Sequence, residues 1–193
     1  MKIKNIILML SAFMVCFFKA QSVKLVEIKK LGLTINLPDS FNNMNQNKKE
    51  VQYVVTNDKN QNKAKKPETE ETEDIKFQGK DYTFFMVFSD KNKTSDTAIQ
   101  PSIVNKKAEE FIESLKKIKT EAKFTKHIIK EEIGKISFYK TSIKIDLKNN
   151  ISQNYIIYNA IINGYKASFT IIYVKETSEL TELLSAFRNF KIN

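Results

Sequence analysis

Several residue types that carry chemistry are nearly missing from this chain of 193 residues, which holds one cysteine, one histidine, four glycines, one arginine and no tryptophan. The cysteine, Cys16, lies in the apolar N-terminal stretch, so a chain cleaved beyond it has neither disulfides nor thiol chemistry. With His127 as the sole imidazole and no cysteine left after such cleavage, a Cys-His catalytic pair lacks its thiol and a histidine-based metal centre lacks its ligands. Four glycines are too few for the phosphate-cradling loops of nucleotide enzymes, and no G-x-S-x-G turn occurs. A Ser-His-Asp set built from His127, Asp146 and some serine remains formally open. Glu131 and Glu132 are adjacent in a strand and point to opposite faces, so they cannot share a substrate. No catalytic, cofactor-binding or metal-ligating residue is therefore expected, and no cofactor.

Arginine scarcity narrows the partners. The formal net charge is +10, a sign that suits polyanions, yet every basic side chain except Arg188 is lysine. Planar bidentate phosphate recognition favours arginine, so nucleic acid is not the expected partner. A long hydrophobic run is also missing. The apolar stretch from Ile6 to Phe18 covers 13 residues, fewer than the roughly 20 a membrane-spanning helix needs.

That stretch follows Lys2 and Lys4 and precedes the small residue Ala20, the pattern of a secretory signal peptide over residues 1–20. Cleavage at Ala20-Gln21 would remove Lys2, Lys4 and Lys19, leaving 29 basic against 22 acidic residues and a charge of +7. A lipid anchor at Cys16 is disfavoured by Val15 before it and by Phe17 and Phe18, which prolong the apolar run past the cysteine. The expected product is one secreted or periplasmic domain over residues 21–193.

Within it, Val23 to Ile28 and Leu33 to Leu37 read as a first hairpin broken at Leu31-Gly32, and Val51 to Thr56 as a third strand. Residues 57–74 carry a basic block and then an acidic one with almost no apolar side chain, so a solvated, disordered insertion is expected there. The acidic run lacks the glycine and alternating ligand spacing of a calcium loop. Tyr82 to Ser89, rich in Phe and Val, reads as a central strand covered on both faces. After Pro101, apolar residues at Val104, Ala108, Phe111, Ile112, Leu115 and Ile118 mark one face of a helix.

From Ser137 to Val174 three alternating runs predict an antiparallel meander. Asn163-Gly164 suits a two-residue type I′ turn, which pairs Tyr158 with Phe169 and Ile156 with Ile171. A similar turn at Asn149-Asn150 would pair Ile143 with Ile156 and Tyr139 with Ala160. The face bearing Tyr139, Ile143, Ile156, Tyr158, Phe169 and Ile171 is then core beneath the helix of Phe111 and Leu115. Thr141 shares that core face, while Lys140, Asn159, Ser168, Lys144, Tyr155 and Ile172 fall on a mixed opposite face. In this register a tight turn at Gly134-Lys135 sets Lys130 against Tyr139 on the core face, so a bulge or longer loop is expected there. Leu180, Leu183, Leu184 and Phe187 mark a closing helix capped by Ser178, with Phe190-Lys191-Ile192 returning as an edge strand.

The order of Gly32-Leu33-Thr34-Ile35-Asn36-Leu37-Pro38, the mid-chain helix, the Asn163-Gly164 hairpin and the closing Phe187-Arg188-Asn189-Phe190 resembles the PsbP-like family over most of residues 23–193. The resemblance implies an α+β fold: an antiparallel sheet of about six or more strands flanked by helices, an α/β/α sandwich. It also implies an accessory or binding role, since family members include an extrinsic photosynthetic subunit, a nuclear-transport factor and bacterial envelope proteins. No functional residue carries over, and the insertion at 57–74 departs from the pattern. The functional expectation is an exported, non-catalytic binding or accessory protein of the bacterial cell envelope with a protein or envelope component as partner. The alternative is an exported hydrolase-like enzyme.

Overall fold

The computed structural model describes residues 23–44, 75–94, 96, 98–148 and 151–193. The expected signal peptide, the strand at 51–56 and the insertion at 57–74 lie outside them. Strands β1 (Val23–Ile28) and β2 (Leu33–Pro38) form the expected hairpin. Between them Gly32 adopts φ +60, a left-handed conformation that suits a residue without Cβ. The chain continues through β3 (Asn42–Asn43), β4 (Ile75–Gln78) and β5 (Phe84–Lys91) to helix α1 (Pro101–Lys116). The meander follows as β6 (Lys123–Ile133), β7 (Ile136–Asp146), β8 (Ser152–Ile162) and β9 (Tyr165–Tyr173), and the chain closes with α2 (Ser178–Arg188) and β10 (Lys191–Ile192).

Among the described residues seven strands build one antiparallel sheet in the order β3-β4-β5-β9-β8-β7-β6, and β1, β2 and β10 build a small second sheet. The Asn163-Gly164 turn has φ of 50 and 79, as a type I′ turn requires, and the β8–β9 pairs are those expected.

The register between β7 and β8 is shifted by one residue from the expected one. Tyr139 pairs with Asn159 and Ile143 with Tyr155, because Leu147 donates its N–H to Ile151 and three residues, not two, separate that pair. One residue of slip moves a whole strand face. Phe138 therefore joins Tyr158 and Phe169, while Thr141, Ile143 and Ile145 turn to the other side. The slip also removes the conflict at the preceding turn. Lys130 does pair with Tyr139 across a two-residue Gly134-Lys135 turn, but neither residue belongs to the main core face, so no bulge is needed.

The main core is covered by α2 and the small sheet, not by α1. Fully buried Phe138 makes edge-to-face contacts with Tyr158, Phe169, Phe187 and Phe190 at centroid distances of 5.8–6.2 Å. Leu180, Leu183 and Phe187 of α2 and Leu33, Ile35 and Leu37 of β2 complete this layer. Helix α1 covers the opposite face, where Ile112 packs with Ile143, Ile145 and Tyr155, joined by Phe111 and Leu115.

Smaller differences have local causes. The cap of α2 is Thr177, whose hydroxyl accepts from the Leu180 N–H, rather than Ser178. Ile118 lies past the end of α1 and is exposed. Tyr82 precedes β5 in a turn with Asp81, both at positive φ, with its ring in solvent. Only the Phe85, Val87 and Ser89 face of β5 is buried, and Phe84, Met86 and Phe88 on its other face are partly exposed.

Candidate ligand groove beneath the first helix

That half-covered face of β5 belongs to a groove. The C-terminal half of α1 seals against β7 and β8 through Ile112 and Leu115, with Phe111 meeting Tyr155 edge-on at 5.2 Å. Toward its N-terminal half, Val104 and Ala108 roof a cavity of about 360 Å³ whose floor is β5, β9, β8 and β7. A second cavity of about 130 Å³ continues toward the start of the helix and shares Phe88, Val104, Lys107, Asn159 and Ser168 with the first.

The floor is ordered by the strand register. Ile143, Tyr155, Ile172 and Phe84 align in one cross-strand row, and Thr141, Ile157, Thr170 and Met86 in the next. Beyond these lie Tyr139, Asn159, Ser168 and Phe88, and then Ile161, Lys166 and Asp90. Polarity thus rises row by row from the Tyr155 end to the Lys166 end. Burial pushes the Tyr155 phenol above its usual range, which keeps it neutral at the apolar end.

The polar side chains of the floor have unspent hydrogen-bonding capacity. Thr141 is 1% exposed and its Oγ1 has no hydrogen-bond partner among the described residues. A buried hydroxyl left this way costs stability and calls for a reason. Lys107 reaches the groove from α1 and, among the described residues, is the only charged one lining the larger cavity. The described part of that lining contains no aspartate, glutamate, histidine or cysteine. A hydrophobic pocket with a few placed polar groups is the usual form of a small-molecule site.

The residues singled out from sequence for catalysis are elsewhere and apart. His127 is exposed on edge strand β6 opposite Ser142. Asp146 pairs with Lys123, four residues and roughly 13 Å along β6 from His127. Its carboxylate accepts from Ser152 Oγ at 2.7 Å and meets Lys144 at 2.8 Å, contacts that hold its pKa below the usual range, with Lys144 contributing most. Glu131 turns toward α2 and pairs with Arg188 at 3.1 Å, while Glu132 is exposed. Among the described residues no group of three or more acidic, histidine or cysteine side chains is placed to hold a metal ion.

Another hollow, about 790 Å³ and more open, lies between the β4–β5 turn and the start of α2. Its Glu179 accepts from the Lys80 N–H at 3.1 Å and so serves the turn.

A seven-stranded antiparallel sheet with α1 on one face and α2 with a small sheet on the other defines an α+β protein of the α/β/α sandwich class. No family model and no curated protein sequence matches the chain. The fold is PsbP-like. The solution structure of cyanobacterial PsbP (CyanoP) from Synechocystis sp. PCC 6803 matches with a TM-score of 0.56 at 9% identity, covering 92% of this chain and 96% of that one. At this identity the likeness is one of fold. Among the described residues no helix is long and apolar enough to cross a membrane.

Proposed function

We propose that this chain is an exported, non-catalytic binding protein of the bacterial cell envelope and that the groove beneath α1 is its binding surface. The observation that carries the reading is the pair of polar rows on the groove floor, Thr141 with Thr170 and then Asn159 with Ser168, set among aliphatic and aromatic side chains. Among the described residues the larger cavity offers groups that bind and orient but no carboxylate or imidazole, and the smaller cavity, lined by Asp90 and Asp96, brings no histidine beside them, which favours binding over hydrolysis. Export rests on the charged start, the 13-residue apolar run and Ala20.

Two measurements test the reading. The protein recovered from the producing cell should lie outside the cytoplasm with a mass that begins at Gln21; a full-length cytoplasmic product would overturn export. On adding an envelope extract to isotope-labelled protein, amide shifts should cluster at Thr141, Asn159, Ser168 and Thr170. Shifts centred on His127 together with turnover of an ester or peptide substrate would instead establish the hydrolase.

A further inference from the structure

We propose that the occupant of this groove is an alkyl carboxylate, a fatty-acid-like amphiphile, with its hydrocarbon chain toward Tyr155 and Ile172 and its carboxylate at Asn159, Ser168 and Lys107. The proposal rests on the reading of the groove as the binding surface and adds the chemical class.

The row order assigns the direction. An amphiphile laid along the groove places its chain against Phe111, Tyr155, Ile157, Ile172 and Met86, and its head then reaches the Asn159 and Ser168 row. Met86 suits a chain of variable shape because an unbranched thioether repacks easily.

The donor set assigns the charge. The Ser168 hydroxyl, the Asn159 amide and the Lys107 ammonium can all donate, and a carboxylate only accepts. Lys107 forms no ion pair among the described residues, so its charge is available to the head group. The smaller cavity at the far end of the groove is lined also by Asp90, Asp96 and Lys166; Asp90 and Lys166 are opposite each other in the β5–β9 register, where their charges offset locally, and Asp96 comes from the loop before α1. A single lysine matches a singly charged head. A phosphate would call for a forked arginine or several cations, and Arg188 is engaged with Glu131 near the other face.

The test uses dodecanoate below its micelle concentration, titrated calorimetrically into the full chain, with dodecyltrimethylammonium as a probe of equal chain length and opposite charge. Dodecanoate should bind saturably at one site, and the cationic probe should bind about tenfold more weakly or not at all, the ratio for one lost charge-assisted contact. Lys107→Glu, at an exposed helix position, should weaken dodecanoate by a similar factor with an unchanged thermal midpoint. In the unaltered protein, amide shifts at Thr141, Asn159 and Thr170 should mark the site without relying on any variant. Absence of saturation, equal affinity for the two probes, or unchanged affinity in Lys107→Glu would each overturn the assignment. Groove shifts with envelope extract but none with dodecanoate would reject the fatty-acid class and leave the binding surface standing.

Discussion

The register of β7 decides both the core and the groove, and one pair of substitutions measures it. In the observed pairing Phe138 is fully buried among four aromatic rings and Tyr139 lies half-buried between Lys130 and Asn159. A slip of one residue would exchange them and carry Thr141 out of the groove. Phe138→Ala removes a large buried ring and leaves a cavity, a change that costs about 3–5 kcal/mol. Its four edge-to-face partners place it at the upper end of that range, since each such contact adds about 0.5–1.5 kcal/mol beyond area and the set is not additive. Tyr139→Ala loses only partly covered surface and should cost about 1 kcal/mol. Against a total stability of about 5–15 kcal/mol, the first variant is severely weakened and the second barely changed. Because Phe138→Ala risks failing to fold, Phe138→Leu serves beside it, with an expected cost of about 1–1.5 kcal/mol. Urea unfolding followed by far-ultraviolet circular dichroism supplies the comparison in a chain without tryptophan. With a slope of about 2 kcal/mol per molar, Phe138→Ala should lower the midpoint by about 2.5 M and Tyr139→Ala by about 0.5 M. Equal losses, or a larger loss at Tyr139, would refute the register and with it the composition of the groove floor.

Three further outcomes follow from single contacts. Tyr82 has φ 58 with its ring in solvent, so Tyr82→Gly should relieve about 1–2 kcal/mol of left-handed strain, less about 0.5–1 kcal/mol of glycine entropy. A net gain in the urea midpoint is expected, and a loss would show that the ring is held by contacts. Tyr158 has its pKa raised from 10.0 to about 12, chiefly by burial and secondarily by Glu131, while Arg188 offsets part of the rise without a well-formed hydrogen bond to the buried hydroxyl. Since the folded state holds the neutral phenol, its contribution to stability is intact below about pH 10 and lost as pH rises from 10 toward 12; Tyr158→Phe should flatten that alkaline limb in a pH series of urea midpoints. The Glu109 carboxylate is held below its usual 4.5 by its hydrogen bond to Lys126, with their Coulomb attraction next, so its contribution is present above pH 4.5 and lost as pH falls through the depressed value. Glu109→Gln should shallow the acid limb, and high salt should do the same in the unaltered protein; an unchanged limb would show that the pair adds nothing.

Local patterns were enough for the elements that depend on them. The Asn163-Gly164 turn, the β1–β2 hairpin and the stripe of Val104, Ala108 and Ile112 need only nearby residues, and each appears at its expected place. The meander's first strand was different because β7 is apolar on both parities. Ile136 and Phe138 face α2 while Tyr139, Ile143 and Ile145 face away, so alternation alone does not select a register. The choice is made by tertiary partners far along the chain. Phe187 and Phe190 receive Phe138, and Phe111 and Leu115 receive Ile143 and Ile145.

The groove was half legible for the same reason. Alternation in β8 and β9 put Asn159, Ser168, Tyr155 and Ile172 together on a mixed face, and a mixed face beneath an amphipathic helix is where a ligand and a hydrophobic layer compete for space. What local patterns did not supply was the third strand on either side. Thr141 comes to the floor only through the three-residue β7–β8 connection, and Met86 and Phe88 only through the β5–β9 pairing across some 80 residues of chain. With those neighbours in place, the mixed face becomes a sequence of rows, apolar at Tyr155 and progressively polar toward Asn159 and Lys166. A face meant only to carry a helix gains nothing from a buried, unpartnered threonine or from an amide and a hydroxyl set between aliphatic rows. A face that must hold an amphiphile in one direction needs both.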